Sequence, residues 1–486
     1  MRNKHFGKNL FYVAFSRLVS LASGVLVGLL LPKVFTITDY GYYKVFTLYA
    51  AYTALLHFGF VDGLLLALAG KEYDSLNKEK IRTYTRFFWG FECIVAGVML
   101  AVGAFFLKGE SRFLLVMLSA NTLLVNLTTY YQFLSQAVQR FGDYSAKTLL
   151  VSLIRLCFVV ILFGIYLRGG TAISYRIYLL GLSFFDLLML IWYVVIYREI
   201  TFGKRLALPA VKKEIYSIFK TGITLTLAYQ VSHIILALDR QFVSILFPTE
   251  TFAKYSFAYS IVSMVSTMIS SLSVVLLPML KSKTREYVVG AYKKCVTIIA
   301  ILASGALVCY YPFALFVDWF LPDYHDSLQY IAIVLPTFLF TSVISVVIFT
   351  VAKVLNMNFE FLKDSCLVLL AGVLANVVAY CLVKAPEAIS YASLLVMILW
   401  LFIAGNRMKR KIGVRIYRQM VYLIGVAVIF LITAGVHQSL LHGCLSYLIL
   451  LVSWTGILYA GDIRRKICRK SSRQSASTPF MDKTKQ

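Results

Sequence analysis

Uninterrupted apolar runs constrain this chain more than any other feature. The first, "LFYVAFSRLVSLASGVLVGLLL" at residues 10–31, is long enough to cross a hydrocarbon layer about 30 Å thick as a helix. Similar runs lie near 42–68, 87–107, 113–138, 148–167, 175–197, 217–245, 253–279, 293–317, 327–351, 364–383, 388–406, 420–440 and 445–461, making about fourteen spans. In lipid every backbone N–H and C=O needs a partner within its own helix or in a closed barrel. The runs are continuous where barrel strands would alternate, so the sequence predicts an all-α polytopic membrane protein. Composition agrees: of 486 residues 60% are hydrophobic and only 14% charged, against about a quarter charged in a soluble chain.

The net charge of +26 would suit a nucleic-acid binder if it were gathered in a patch. It is instead spread over short loops. With the N-terminus placed inside, the cytoplasmic segments hold 36 Lys and Arg and the opposite loops hold 7. The other five, Arg17, Lys44, Arg155, Lys220 and Arg240, fall within spans. Such a bias excludes nucleic acid as the reason for the charge and predicts both termini in the cytoplasm, with an even number of helices. The first run is too long for a signal peptide and contains Arg17, so it reads as a retained helix. The segment 462–486 is polar and is expected to be a disordered cytoplasmic tail.

No catalytic signature is present: no Walker A sequence, no GxSxG, no HExxH and no Gly-rich dinucleotide loop. The eight cysteines form no CxxC pair and read mostly as packed thiols within spans. Of the histidines only His57 and His233 lie deep in spans, and they read as hydrogen-bonded cavity or core residues. The expectation is a protein that is not an enzyme, holds no metal and carries no cofactor. Without a nucleotide site, active transport would have to draw on an ion or substrate gradient.

Ionisable residues within spans cost roughly 2.5–3.5 kcal/mol each, so they usually face a bundle interior or a watery cavity. Lys44 and Lys220 lie near span ends and read as snorkelling to the headgroups. Arg17 sits seven residues into the first span, about 10 Å along its axis. Arg155 shares a helical face with Thr148 and Ser152, and both arginines read as cavity-lining. Asp62, inside the GxxxG-spaced "GFVDG", and Asp186 are either proton or cation sites or the partners of arginines; Glu92 reads as structural. In the seventh span Thr226, Gln230, His233, Ala237, Arg240 and Ser244 recur at steps of three and four, one polar-to-small face. Asp239 points away from that face and is expected to meet another helix or the following loop, because neighbours on a helix diverge by about 100°. A second stripe, Ser256, Ser260, Ser263, Thr267 and Ser270, reads either as tight packing with bonds to the preceding turn or as a cavity wall.

A repeat at an offset of 212 residues pairs "TDYGYYKVFTLY" (38–49) with "ETFAKYSFAYSI" (250–261). The first two spans would then correspond to the seventh and eighth, giving two six-helix lobes and an extra pair, a transporter architecture. The expected division is 1–208, 209–407, 408–461 and the tail 462–486.

In "LLLPKVFTITDYGYY" and "LDRQFVSILFPTETFAKYSFAYSI" the chain resembles the bacterial polysaccharide-biosynthesis transporters, the O-antigen and capsule repeat-unit flippases. These belong to the multidrug/oligosaccharidyl-lipid/polysaccharide exporter superfamily. Length and the 6+6+2 layout agree along the chain, whereas Ala253 stands where the family often has glycine. The resemblance implies a multidrug-extrusion-like fold of two lobes around a cationic cavity in the bacterial cytoplasmic membrane. The implied cargo is an undecaprenyl-pyrophosphate-linked glycan, translocated by alternating access for surface polysaccharide synthesis. Membrane lipids are implied partners, with polysaccharide polymerase and glycosyltransferases as further ones. Arg17, Arg155 and Arg240 would meet the pyrophosphate, and Gln230, Ser256, Ser260, Asn126 and Gln132 the sugars, with His233 a further substrate-binding candidate. Asp62 and Asp186 are the ion-coupling candidates. A cation-coupled exporter of small molecules from the same superfamily is the alternative, disfavoured by the basic cavity. A membrane-embedded polymerase or glycosyltransferase is disfavoured by the short outer loops.

Overall fold

The computed structural model describes residues 2–281, 283–355, 357–436 and 439–475, and within them all side chains except those of 2–11, 13, 14, 268, 270–275, 277, 278, 358, 436 and 461–475. The described elements are helical. They run α1 (Arg2–Val34), α2 (Ile37–Ala50), α3 (Phe60–Leu68), α4 (Lys78–Phe106), α5 (Gly109–Ala137), α6 (Phe141–Gly169) and α7 (Tyr175–Ile196). After the short α8 (Arg198–Thr201) come α9 (Leu208–Leu246), α10 (Thr249–Lys281), α11 (Arg285–Ala306), α12 (Tyr310–Phe320) and α13 (Ser327–Val334). The chain continues with α14 (Thr337–Ser342), α15 (Phe349–Val354), α16 (Asn358–Leu382), α17 (Pro386–Ile412), α18 (Tyr417–Val436) and α19 (Leu440–Ser475). Among the described residues twelve helices are long and apolar enough to cross a membrane, and the bent pair α2–α3 makes a thirteenth. The ends follow side-chain chemistry. Thr36, Asn77, Ser174 and Thr284 cap α2, α4, α7 and α11 by accepting first-turn N–H groups. Gly170 and Gly413 close α6 and α17 in the left-handed conformation.

Two expected spans are interrupted. The second passes from α2 through a tight turn at Thr53–His57 into α3, with a bend of 56°. Phe58 and Gly59 take positive φ values of 47° and 82° at the corner. The His57 Nδ1 accepts the Gly59 N–H at 3.1 Å, and Asn126 of α5 donates to the Thr53 carbonyl at 3.3 Å, so backbone groups at the corner keep partners. The tenth consists of α13, α14 and α15, with Pro336 at the first break and a π-helical segment, Val343–Ile348, at the second.

Glycine sets the closest approach between early and late helices. A Cβ on Gly222 of α9 would lie 1.9 Å from the Gly59 carbonyl, and one on Gly63 would lie 2.0 Å from the Ile218 carbonyl. The expected glycine-spaced contact at 59–63 is thus made, and its partner is α9. The repeat segments also meet. Thr38 donates to Glu250, its equivalent at offset 212, at 3.0 Å, and Tyr40 packs on Phe257. Contact between corresponding residues is what a two-fold relation between the halves requires at its axis. The helices α18 and α19 pack on each other and against α11, α12 and α13. Of the thiols expected to be packed, Cys93, Cys157, Cys309, Cys366 and Cys381 are exposed on the helix bundle, since a small thiol is compatible with a lipid-facing surface.

Substituting Gly222→Val is expected to part α3 from α9 and lower stability by roughly 1–3 kcal/mol. The readout is an earlier thermal transition of the purified full-length protein. Gly164→Ala, at a site with open space around it, leaves the transition in place or raises it.

Candidate functional site

Asp239 and Arg240 sit side by side in α9 and separate as helical spacing requires. Asp239 is buried and accepts hydrogen bonds from the hydroxyls of Tyr255, at 2.9 Å, and Tyr259, both on α10. Ser390 of α17 donates to the Tyr255 hydroxyl at 3.2 Å, so one carboxylate ties three helices together. Arg240 turns the other way and lies over the Tyr259 ring, 4.8 Å from its centre. Its Nε has no hydrogen-bond partner, and no carboxylate forms an ion pair with it among the described residues. Arg240 lies within electrostatic reach of Asp239 first, and of Lys44, Tyr52 and His233.

Lys44, expected to snorkel, turns inward. Its Nζ donates to Ser260 at 2.7 Å and sits 5.0 and 5.4 Å from the centres of the Tyr40 and Tyr43 rings. Sequence distance from a span end gives depth and does not give the facing direction, and α2 faces the α10 stripe here. Lys44 and Arg240 therefore form a pair of cations held by tyrosine faces and one serine, with no carboxylate in ion-pair contact with either among the described residues; Asp239, next to Arg240 in the chain, acts on its guanidinium through its field alone. Lys220, the other residue assigned to snorkelling, is exposed.

Further cations lie on α1 and α6. Arg17, exposed on α1, donates to the Tyr144 hydroxyl of α6. Lys147 donates to Gln132 at 3.2 Å and lies within electrostatic reach of Arg17 and Arg155. Arg155 pairs with Asp186 of α7 at 3.1 Å, so the structure makes Asp186 the partner of an arginine. His233 is exposed and packs on Tyr229, 4.5 Å between ring centres, and Tyr229 is within reach of Arg17 and Asp62.

The stripes divide. Thr226 donates to Asp62 and to the Gly222 carbonyl, so it faces α3 rather than a common channel. Gln230 is buried with Oε1 unpartnered, and Ser256 is buried with Oγ unpartnered. Ser260, Ser263 and Thr267 each donate to a carbonyl one turn earlier on α10; the side chain of Ser270 lies outside the described residues. Asn126, expected to serve the cargo, is spent on Glu92, at 3.0 Å, and on the Thr53 carbonyl.

The two ends of the bundle are both strapped between early and late helices. At one end lies the Thr38–Glu250 bond, and about 16 Å further along α2 Gln241 of α9 donates to Tyr49 at 2.6 Å. At the other, Lys80 and Tyr84 of α4 both bond Glu214 of α9, the lysine at 2.7 Å. Beside this strap lies a cavity of about 670 Å³ lined from the two sides by Lys71, Asn77, Lys80, Ser217 and Thr221.

Comparison with known proteins follows this geometry. Residues 6–283 match the family model described as polysaccharide biosynthesis protein. No curated protein matches the sequence. Among solved structures the fold is similar to a lipid II flippase, MurJ, in an inward closed conformation, with TM-score 0.67 and 11% identity over 94% of this chain and 99% of that one. It is also similar to an inward-facing multidrug resistance MATE family transporter of the MOP superfamily, with TM-score 0.60 and 14% identity over 82% and 94%. A MOP superfamily transporter from Pyrococcus furiosus gives 0.52 and 10% over 84% and 96%. Identities this low establish the shared fold.

Asp239→Ala is expected to destabilise the protein by roughly 1.5–3 kcal/mol, the value of hydrogen bonds to a charged group. Tyr255→Phe costs less, and the double variant is less than additive, because both remove one bond. Thermal unfolding of the four proteins in a double-mutant cycle measures the coupling.

Proposed function

The chain belongs to the polysaccharide biosynthesis protein family, and from that premise we propose that it is a flippase for undecaprenyl-pyrophosphate-linked oligosaccharide repeat units in the bacterial cytoplasmic membrane. The observation that carries this reading is the pair Lys44 and Arg240, two cations in a membrane interior whose donors are in ion-pair contact with no carboxylate among the described residues. A charge left unpaired there is costly, and an anionic cargo removes the cost when it binds. A pyrophosphate offers the oxygens that an arginine fork and a lysine point charge recognise. Arg17 and Lys147 extend the basic path, and Gln230 and Ser256 hold buried polar atoms in want of partners, which suits sugar hydroxyls.

The cycle is alternating access of two lobes, 1–208 and 209–407, with 408–461 as an added pair. With both termini cytoplasmic, the Lys80–Glu214–Tyr84 strap closes the inner end and the Thr38–Glu250 contact the outer. The lipid tail stays in the bilayer while the head group crosses. The seam between α3 and α9 is shut by backbone contact at Gly222, so the tail would follow the symmetry-related seam between α1 and α10. Surface polysaccharide synthesis would place the protein beside glycosyltransferases and a polymerase. The basic lining disfavours a cationic drug as cargo.

Depletion in the native host is expected to accumulate lipid-linked repeat units on the cytoplasmic leaflet; normal surface polysaccharide overturns the reading. Lys44→Ala and Arg240→Ala are each expected to cut export about 10–100-fold at unchanged protein level, one lost charge-assisted hydrogen bond being worth about 1.5–3 kcal/mol. Arg240→Lys restores less than the wild-type rate because it lacks the fork. Quantified surface glycan against immunoblotted protein tests all three.

A further inference from the structure

Glu92 is a carboxyl group in the middle of the membrane-spanning α4, with no measurable exposure. Asn126 donates to Oε2 at 3.0 Å, and Oε1 has no partner among the described residues. No Lys, Arg or His lies within ion-pairing distance of it among the described residues. The other interior acids are provided for: Asp186 has Arg155, Asp364 has Arg407 at 2.9 Å, Asp239 has two tyrosines, and Asp62 has Thr226 and is half-buried. An ionised carboxylate with one neutral donor and a bare oxygen is the costliest arrangement of the set, whereas the neutral acid leaves a single unpaired O–H.

Its surroundings are mechanical as well as apolar. The same Asn126 amide that holds Glu92 also holds the Thr53 carbonyl, where the second span breaks before α3. Any movement of that 56° corner changes the one hydrogen bond Glu92 has. The corner continues through His57 and Asp62 to Thr226 and the glycine contact that fixes α3 on α9.

We propose that Glu92 is the proton-carrying group of the transport cycle, neutral while the corner is closed and releasing its proton when the corner opens. On opening, water reaches Oε1, the O–H bond breaks, the proton leaves as hydronium and the carboxylate keeps the Asn126 donor. Reprotonation on the other side and closure of the corner complete the step. This inference rests on the transporter reading and assigns the driving ion to a site the cargo does not touch. The helices packed on α4 are α5, α8, α9 and α3, whose Phe60 ring stacks on Phe88. Their charged and titratable groups on this side are Glu199 and Glu214, bound near the start of α4 by Lys78 and by Lys80 and Tyr84, Lys220, which is exposed, and Tyr130, which is bonded to Thr85. Tyr131 of α5 is bonded to Thr201, Asp62 of α3 to Thr226, and His57 stands at the corner before α3. Glu214 binds at Tyr84, two turns or about 12 Å before Glu92.

The test is infrared difference spectroscopy on the full-length protein in lipid at neutral pH. A carboxylic acid C=O stretch is expected that Glu92→Gln removes and that Asp62→Asn and Asp186→Asn leave in place. If the band is absent from the wild type, or persists in E92Q, the proposal fails. If added sodium chloride at fixed pH abolishes the band, the site holds a sodium ion and the proposal also fails. A second readout is the distance between spin labels at positions 71 and 217, on opposite walls of the strapped cavity. The wild-type distribution should shift between acid and alkaline pH, and E92Q should stay in the acid form at both. A wild type that does not shift, or an E92Q that shifts with it, overturns the assignment. Neither measurement involves cargo. A protonated Glu92 in a protein whose depletion leaves surface glycan normal would overturn the flippase reading alone, and an ionised Glu92 in a proven flippase would overturn this one alone.

Discussion

The cost of charge in hydrocarbon, roughly 2.5–3.5 kcal/mol per group, is the constraint that organises this interior. Each buried charge meets it by a different device. Arg155 and Asp186 neutralise each other, as do Asp364 and Arg407. Asp239 takes two tyrosine hydroxyls, and Arg240 and Lys44 lie against tyrosine faces. The first device is complete within the chain. The last is partial, because an aromatic face is worth only about 0.5–2 kcal/mol and leaves the N–H donors unused. That difference separates the charges that hold helices together from those available to a ligand.

The meeting of α2 with α10 gives this arrangement its geometry. Thr38 bonds Glu250, so the two helices face each other. Lys44 enters the interior because its own helix lies against the one carrying Ser260. The two seams beside that contact are unequal, however. Gly59, Gly63 and Gly222 bring the backbones of α3 and α9 into contact, while α1 meets α10 through side chains such as Met264 against Gly28. One seam is thus closed by backbone and the other by side chains.

Much of this was legible in the sequence, and the exceptions share a cause. The apolar runs gave the spans because their length exceeds what any soluble helix needs, and the divergence of Asp239 from Arg240 followed from helical spacing alone. The likeness of "TDYGYYKVFTLY" to "ETFAKYSFAYSI" lies at an offset of 212 residues, and Thr38 of the first bonds Glu250 of the second. The corner in the second span was missed because both sides of it are equally apolar. Its only trace was "HFGF", a histidine and a glycine within a hydrophobic run. Lys44 was misassigned because depth along a helix says nothing about which neighbour it faces. Glu92 and Asn126 lie 34 positions apart, and no periodicity within one helix reports a bond between two.

The tyrosines make the cation pair sensitive to conformation. Asp239 fixes Tyr259, Tyr259 supports Arg240, and Arg240 stands within reach of Lys44. Lys44 is anchored in turn by Ser260 and by Tyr40, whose ring packs on Tyr324 and Phe257. Arg240, Tyr259 and Ser260 belong to α9 and α10, whereas Lys44 belongs to α2. Parting α2 from α10 at the Thr38–Glu250 end therefore removes Lys44 from Ser260 while Arg240 keeps its tyrosine. In the proposed cycle an anion bridging the two cations loses one of them in that step, and Coulomb attraction falls with distance and with the entry of water. The movement that opens the outer end is thus the movement that weakens the hold on the cargo.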